Sequence, residues 1–309
     1  MENPNIVCLG GGHGLAATLS AVRTLTANVT AIVTVADNGG SSGRLRVEFD
    51  SLPPGDLRMA LAALCADDEW GRSWAEILQY RFTSSGELNN HAVGNLILTA
   101  LWDRDLDPVG GLDKVGQLLK VVGRVLPMAP QPLDIQATFS TKKGKKVIRG
   151  QVEVAGARGR VDELELIPND PKMTSEAEES IAKADWIFFG PGSWISSVMP
   201  HFLHKKQESA ILKSAARKVV IFNLPDPNIT DEYYDKPLEE HLKLVLKHSP
   251  EFRFDYALID SSQQDSGAGF YDLVSKCGAR VISHDLRDDK DLFRHNREKL
   301  ISAISHILA

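Results

Sequence analysis

Residues 5–46 read NIVCLGGGHGLAATLSAVRTLTANVTAIVTVADNGGSSGRLR, and this stretch decides the fold. The apolar run Ile6 to Leu9 has the composition of a buried strand. It halts at Gly10, Gly11 and Gly12, with His13 and Gly14 next. Leu15 to Leu25 then places its apolar residues at helical spacing, and Val29 to Val35 is a second β-branched run ending in Ala36 and Asp37. Strand, glycine turn, helix and strand make one βαβ unit. In such a unit the turn lies at the carboxyl end of a parallel strand and faces a helix N-terminus. The free N–H groups and positive helix end there favour an anion, commonly a phosphate.

The glycines follow no standard fingerprint. A dinucleotide loop needs G-x-G-x-x-G, but the sixth position counted from Gly10 is Leu15, and a Walker A loop needs a Gly-Lys-Ser/Thr that is absent. A tight strand-to-helix turn requiring positive φ is the other reading of the same residues. The segment after the second strand adds chemistry. Asp37 and Asn38 stand where a second-strand acid often meets a ribose hydroxyl. Gly39, Gly40 and Gly43 allow close backbone approach, Ser41 and Ser42 offer hydroxyls, and Arg44 and Arg46 can neutralise phosphate or carboxylate.

Composition bounds the class. The chain has 309 residues, 43% of them apolar and 25% charged, as in a globular α/β protein of one large or two small domains. A net charge of −6 argues against general nucleic-acid affinity. No apolar run approaches the roughly 18–20 residues that span a bilayer. The opening MENPNIV has no basic or apolar leader, so a cytoplasmic protein without membrane insertion is expected. Cys8, Cys65 and Cys277 are too few and too scattered for a disulfide framework or zinc site and read as small buried residues.

Further along, Asp56 in PPGD stands as an N-cap for a helix over Leu57 to Ala66; alternatively Asp56 and Arg58 line a cleft beside Asp37. Asp67 to Glu69 close that helix, and Trp74 to Phe82 is a short one. In GELNNHAVGNLILTALW (86–102), Val93, Leu96, Ile97, Ala100 and Leu101 mark the buried face of a helix. His91 at its start and Asn95 one turn in can point into a pocket. Asp113 to Val122 is a helix. The chain then turns β-rich: strands over Asp134–Ser140 and Val147–Val154 with a basic tip at Thr141–Lys146, and a strand over Arg160–Ile167. The α/β rhythm resumes with a helix over Glu176–Ala184 and a strand over Asp185–Phe189. A second glycine turn follows: Gly190, Pro191 and Gly192, then a helix starting near Ser193 with hydroxyls at Ser196 and Ser197. Two such turns in one sheet suit a diphosphate or two phosphorylated ligands. Strands over Lys218–Phe222 (ending at Asn223), Phe254–Ile259 and Arg280–Ser283 alternate with helices over Glu232–His248, Phe270–Lys276 and Lys290–Leu308. The expected fold class is α/β: one Rossmann-like domain over 1–309, a mostly parallel sheet flanked by helices, with a small β-rich insert at 127–168. Ligands in such sheets bind beyond the strands' carboxyl ends at the switch point. That places Gly10–Gly14, Asp37–Arg46, His91 and Asn95, and Gly190–Ser197 around one cleft.

GGGHGL and VADNGGSSGRLR together resemble the YvcK-type gluconeogenesis factors, which are related to the 2-phospho-L-lactate transferases (CofD). PPGDLR, the GEL…H…GN segment and GPGSWISS are similar to family motifs, so the resemblance spans nearly the whole chain. It implies a binding protein for UDP-sugars such as UDP-N-acetylglucosamine, supporting cell shape and cell-wall synthesis on gluconeogenic carbon. Arg294 and His295 match a family segment that contributes an arginine to the UDP-sugar. The alternative is a transferase moving a nucleotide-activated phospho-acid onto an acceptor hydroxyl, with Mg²⁺ held by Asp37 and Asp56. The chain departs from the family pattern at His13, usually threonine, and at Asn38, usually a second aspartate. The loop from Asn223 to Thr230 also lacks the family's glycine and glutamate. A homo-oligomer is the expected assembly.

Overall fold

The structure is a computed structural model that describes residues 3–141, 144–157, 160–226 and 236–309. Ten strands are described: β1 (Ile6–Gly10), β2 (Val29–Val33), β3 (Arg124–Pro127), β4 (Asp134–Thr141), β5 (Gly144–Arg149), β6 (Arg160–Ile167), β7 (Trp186–Phe189), β8 (Arg217–Ile221), β9 (Tyr256–Asp260) and β10 (Arg280–His284). The helices are α1 (Gly12–Val22), α2 (Gly40–Phe49), α3 (Pro54–Leu64), α4 (Glu69–Gln79), α5 (Val93–Asp105), α6 (Pro108–Leu119), α7 (Gln151–Ala155), α8 (Ser175–Ala182), α9 (Met199–Leu203), α10 (Lys205–Lys213), α11 (Leu238–His248), α12 (Ala268–Lys276) and α13 (Arg297–Leu308).

As the sequence predicts, the main sheet is parallel; its seven strands stand in the order β10-β9-β8-β7-β1-β2-β3. The runs IVCLG and WIFF are buried along their whole length, because helices cover both faces of the sheet. The chain winds outward from β1 through β2 to β3, then returns to the other side of β1 with β7. The switch point therefore lies between β1 and β7, and both glycine turns leave the sheet there. The remaining strands form an antiparallel sheet, β5-β4-β6. Its inward residues Ile135, Ala137, Phe139, Leu164 and Leu166 join the same continuous core as the parallel sheet. The three cysteines are buried and unpaired, and no described helix is long and apolar enough to cross a membrane.

Several local expectations need correction. Gly40–Phe49, to which the sequence reading gave no secondary structure, is helix, so Ser41, Ser42 and Arg44 occupy its first turns. Asp56 is not an N-cap: Pro54 starts α3 with its preset φ, which places Asp56 in the first turn. Asp68 caps α4 through Gly71 N–H (2.7 Å), so the acidic run starts a helix as well as ending one. The buried face of α5 is Asn95, Leu98, Thr99 and Trp102 instead of the more apolar stripe. Residues 151–154 are helix, not strand, because Gly150 turns the chain at φ +105° once the pairing of β5 ends at Arg149. The closing helix begins at Arg297. Asp288 and Asp291 side chains accept the N–H groups of Lys290 and Phe293, and Asn296 caps α13 through Glu298 N–H (3.0 Å) and Lys299 N–H (3.1 Å). Lys142 and Lys143 of the basic tip, the loop at 227–235 with Thr230, and the start of the helix expected from Glu232 lie outside the described residues.

Candidate ligand-binding cleft

The first glycine turn is shaped by close approach. Gly12 has φ +62°, in the left-handed region that glycine favours. A Cβ on Gly11 would come within 2.6 Å of Thr34 Oγ1 and overlap the Asp56 carboxylate. A Cβ on Gly14 would overlap the Pro191 carbonyl and reach 2.8 Å from Gly192 Cα. Thus α1 starts directly against the second glycine turn. Thr18 Oγ1 donates to Gly190 O (2.9 Å) and fixes the two together. Asn223, at the end of β8, locks the second turn: Gly192 N–H donates to Asn223 Oδ1 (2.7 Å) and Asn223 Nδ2 donates to Gly192 O (2.8 Å).

Between these turns opens a cleft of about 530 Å³. Gly11 to Gly14, Pro191, Gly192, Ser193, Ser197 and Asn223 form its floor and walls, with Asp56 at one end. Phe293, Arg294 and His295 come over it from the segment before α13. Arg294 is 77% exposed and pairs only loosely with Asp291 (3.1 Å). His13, in the first turn of α1, is held below the usual histidine range by partial desolvation and then by Arg294, Arg58 and Arg81.

A second chamber of about 620 Å³ adjoins the first and shares His13 and Asp56 with it. Asp37, Gly39, Gly40, Ser41, Ser42, Asn95, Arg58 and Arg81 line it. Asp56 accepts from Gly12 N–H and from Thr34 Oγ1 (3.3 Å). Burial, then the Asp37 charge, push its carboxyl up to about 7. Asp37 accepts from Gly39 N–H (2.8 Å), and Ser42 Oγ accepts from Gly55 N–H (3.0 Å). These contacts tie the starts of α2 and α3 together around the chamber.

The other residues singled out by sequence take supporting places. Gly10 ends β1 in the core, and Gly190 starts the second turn at φ +73°. His91 stands behind the chamber wall: its Nδ1 bonds Ser41 Oγ (2.9 Å), which also accepts from Asn95 Nδ2 (2.9 Å). Burial, then Arg44, hold His91 below the usual range. Arg44 itself turns away, donating to Glu87 O (2.9 Å) and Asn89 O (2.6 Å), and Arg46 is committed to Asp134 (2.6 Å). Asn38 donates to Glu153 Oε2 (2.7 Å) and accepts from Val152 N–H (3.0 Å). It clamps α7 over the Asp37 turn, a double role that an ionised aspartate, lacking a donor, cannot fill. Among the lining residues that escaped the sequence reading or were left ambiguous in it, three polar ones matter most. Gln151 reaches the first chamber from α7, and Arg81 reaches the second from an irregular segment; neither carries a local signal. Arg58, in PPGDLR, was legible only as one of two readings.

The fold and site define a doubly wound α/β protein whose cleft is built from two facing glycine turns at the switch point. The chain belongs to the family described as 2-phospho-L-lactate transferase CofD, which it matches over residues 6–301. A protein of Mycobacterium tuberculosis, provisionally named a gluconeogenesis factor, is 48% identical over 266 residues, 84% of this chain and 77% of that one. The gluconeogenesis factor of Listeria innocua is 32% identical over 317 residues, 99% of this chain and 96% of its own. The crystal structure of a UPF0052 family member from Bacillus halodurans superposes with a TM-score of 0.86 at 32% identity, covering 99% of both chains.

Proposed function

We propose that the protein binds a UDP-sugar, such as UDP-N-acetylglucosamine, in the first chamber. One observation carries this reading: Gly14 and Pro191 bring the α1 N-terminus and the second glycine turn into contact, so both turns face one space. The first N–H groups of α1 lack helical partners, and the helix end is positive, which suits a diphosphate. Arg294 supplies a mobile-length guanidinium from the opposite side. A volume of about 530 Å³ falls in the range of small-ligand sites. The motif resemblance to the gluconeogenesis factors implies the same ligand, and in this reading binding rather than turnover is the activity. Calorimetric titration with UDP-N-acetylglucosamine tests it; no saturable heat at millimolar ligand refutes it.

The pairing of Asp37 with Asp56 favours a second reading, that of a transferase like the one naming the family. Both carboxylates face one chamber, and Asp37 raises the Asp56 carboxyl, the repulsion that a divalent cation would relieve. Among the described residues no cluster of three or more metal-ligating side chains exists. Asp37 and Asp56 would thus hold Mg²⁺ only together with ligand phosphate oxygens, which is how Mg²⁺ commonly binds. The ion would spread phosphate charge during transfer. A Mg²⁺ requirement for nucleotide binding, lost in Asp37→Asn, distinguishes this reading from the first.

A further inference from the structure

The second chamber contains a feature that the nucleotide reading does not use. Arg58 is only 3% exposed, yet its Nε and one terminal nitrogen, Nη1, are buried without any hydrogen-bond partner. Its aliphatic stem is fixed against α5: a Cβ on Gly94 would come within 2.7 Å of Arg58 Cγ. Among the described residues it forms no ion pair. Asp37 and Asp56 are near enough to favour its charge, but burial and the neighbouring Arg81 outweigh them and lower the guanidinium to about 10. Arg81 spends one bond on Asn90 O (2.9 Å) and likewise has no carboxylate partner among the described residues. In the same chamber Asn95 is 1% exposed, and its Oδ1 is also unpartnered.

A buried guanidinium without a partner is costly, and a second cation beside it raises the cost. The stem is locked by packing, so the group cannot swing out to water. Two arginines that line one cavity, neither of them ion-paired among the described residues, suit an oxyanion that accepts from both. The Asn95 amide and the Ser41 hydroxyl bonded to it extend the polar wall beside that position.

We infer that Arg58 and Arg81 form a second ligand subsite, distinct from the chamber between the glycine turns, for the phosphate or carboxylate of a small-molecule acid. The two subsites meet at His13 and Asp56. The subsite does not depend on what occupies the first chamber.

The test titrates the intact protein with inorganic phosphate and, separately, with malonate, following heat or amide shifts by NMR. At least one of the two saturates, and which one does assigns a phosphoryl or a carboxylate ligand. Arg58→Met and Arg81→Gln each weaken that binding by roughly 10- to 150-fold, the range for one charge-assisted bond. Arg104→Gln, at an exposed position outside the chamber, changes it less than twofold. UDP-N-acetylglucosamine binding, measured in parallel, stays within threefold in all three variants. Arg81→Gln decides the matter even if Arg58→Met fails to fold, because Arg81 is exposed. Saturation by neither anion, or parent-like binding in Arg81→Gln, overturns the inference whether or not the nucleotide sugar binds.

Discussion

Replacing Asp56 with asparagine stabilises the free protein at neutral pH, and by an amount that depends on pH in a defined way. Asp56 is half-buried where the two chambers meet, and desolvation there holds its carboxyl at about 7 against an ordinary 3.8. A raised acid prefers its proton in the folded state. Between pH 4 and 7 the unfolded chain has released that proton while the folded protein retains it, so stability falls as pH rises through this window and levels off above it. The difference corresponds to at most about 4 kcal/mol at pH 8, at about 1.36 kcal/mol per pH unit. Asparagine keeps the local bonds, since its Oδ1 can accept Gly12 N–H while its amide donates to Thr34 Oγ1 once the hydroxyl rotates. An unfolding entropy near 2.1 cal/mol/K per residue makes that at most about 6 °C for 309 residues. Melting curves of parent and Asp56→Asn from pH 4 to pH 8 measure it. The melting temperatures should nearly coincide at pH 4 and diverge as pH rises, with the variant higher. A constant offset, or none at pH 8, would show that Asp56 is not held protonated by its surroundings.

Gly14→Ala forces a Cβ into the Pro191 carbonyl; overpacking of this kind costs about 1–3 kcal/mol. The variant should melt lower and lose UDP-sugar binding, and unchanged calorimetry would separate the two turns from the ligand. Asn38→Asp replaces the donor to Glu153 with a like charge, so amide exchange at Val154 in α7 should rise about tenfold by exchange mass spectrometry or NMR; unchanged protection would show that the clamp is idle. Arg294→Ala removes an exposed side chain whose ion pair with Asp291 contributes little. Its melting temperature should stay within about 1 °C while UDP-sugar affinity falls roughly 10- to 150-fold, and parent-like affinity would make the segment before α13 mere cover.

The parallel sheet was legible because strands buried on both faces appear as unbroken apolar runs, and both glycine turns were legible because they end such runs. Helix onsets were less so. At Pro54 a preset φ overrode the capping signal of Asp56, and at Arg297 the side chains of Asp288, Asp291 and Asn296 drew backbone N–H groups out of helical bonding. Side-chain partners across the fold were not legible at all. Asn38 and Glu153 are 115 residues apart, and Arg46 and Asp134 are 88 apart. The sequence offered Arg44 and Arg46 as ligand groups, yet the fold spends one on two backbone carbonyls and the other on an ion pair. It leaves Arg58 and Arg81 facing the cavity instead, a choice made by tertiary packing that no local spacing encodes.

The most direct measurement is a crystal structure of the protein with UDP-N-acetylglucosamine. The diphosphate should lie at the N-terminus of α1, within hydrogen-bonding distance of the His13 and Gly14 N–H groups, between the Gly10–Gly14 and Gly190–Ser197 turns and with Arg294 drawn toward it. A nucleotide bound outside this space, or bound within it with its diphosphate remote from both turns, would contradict the account.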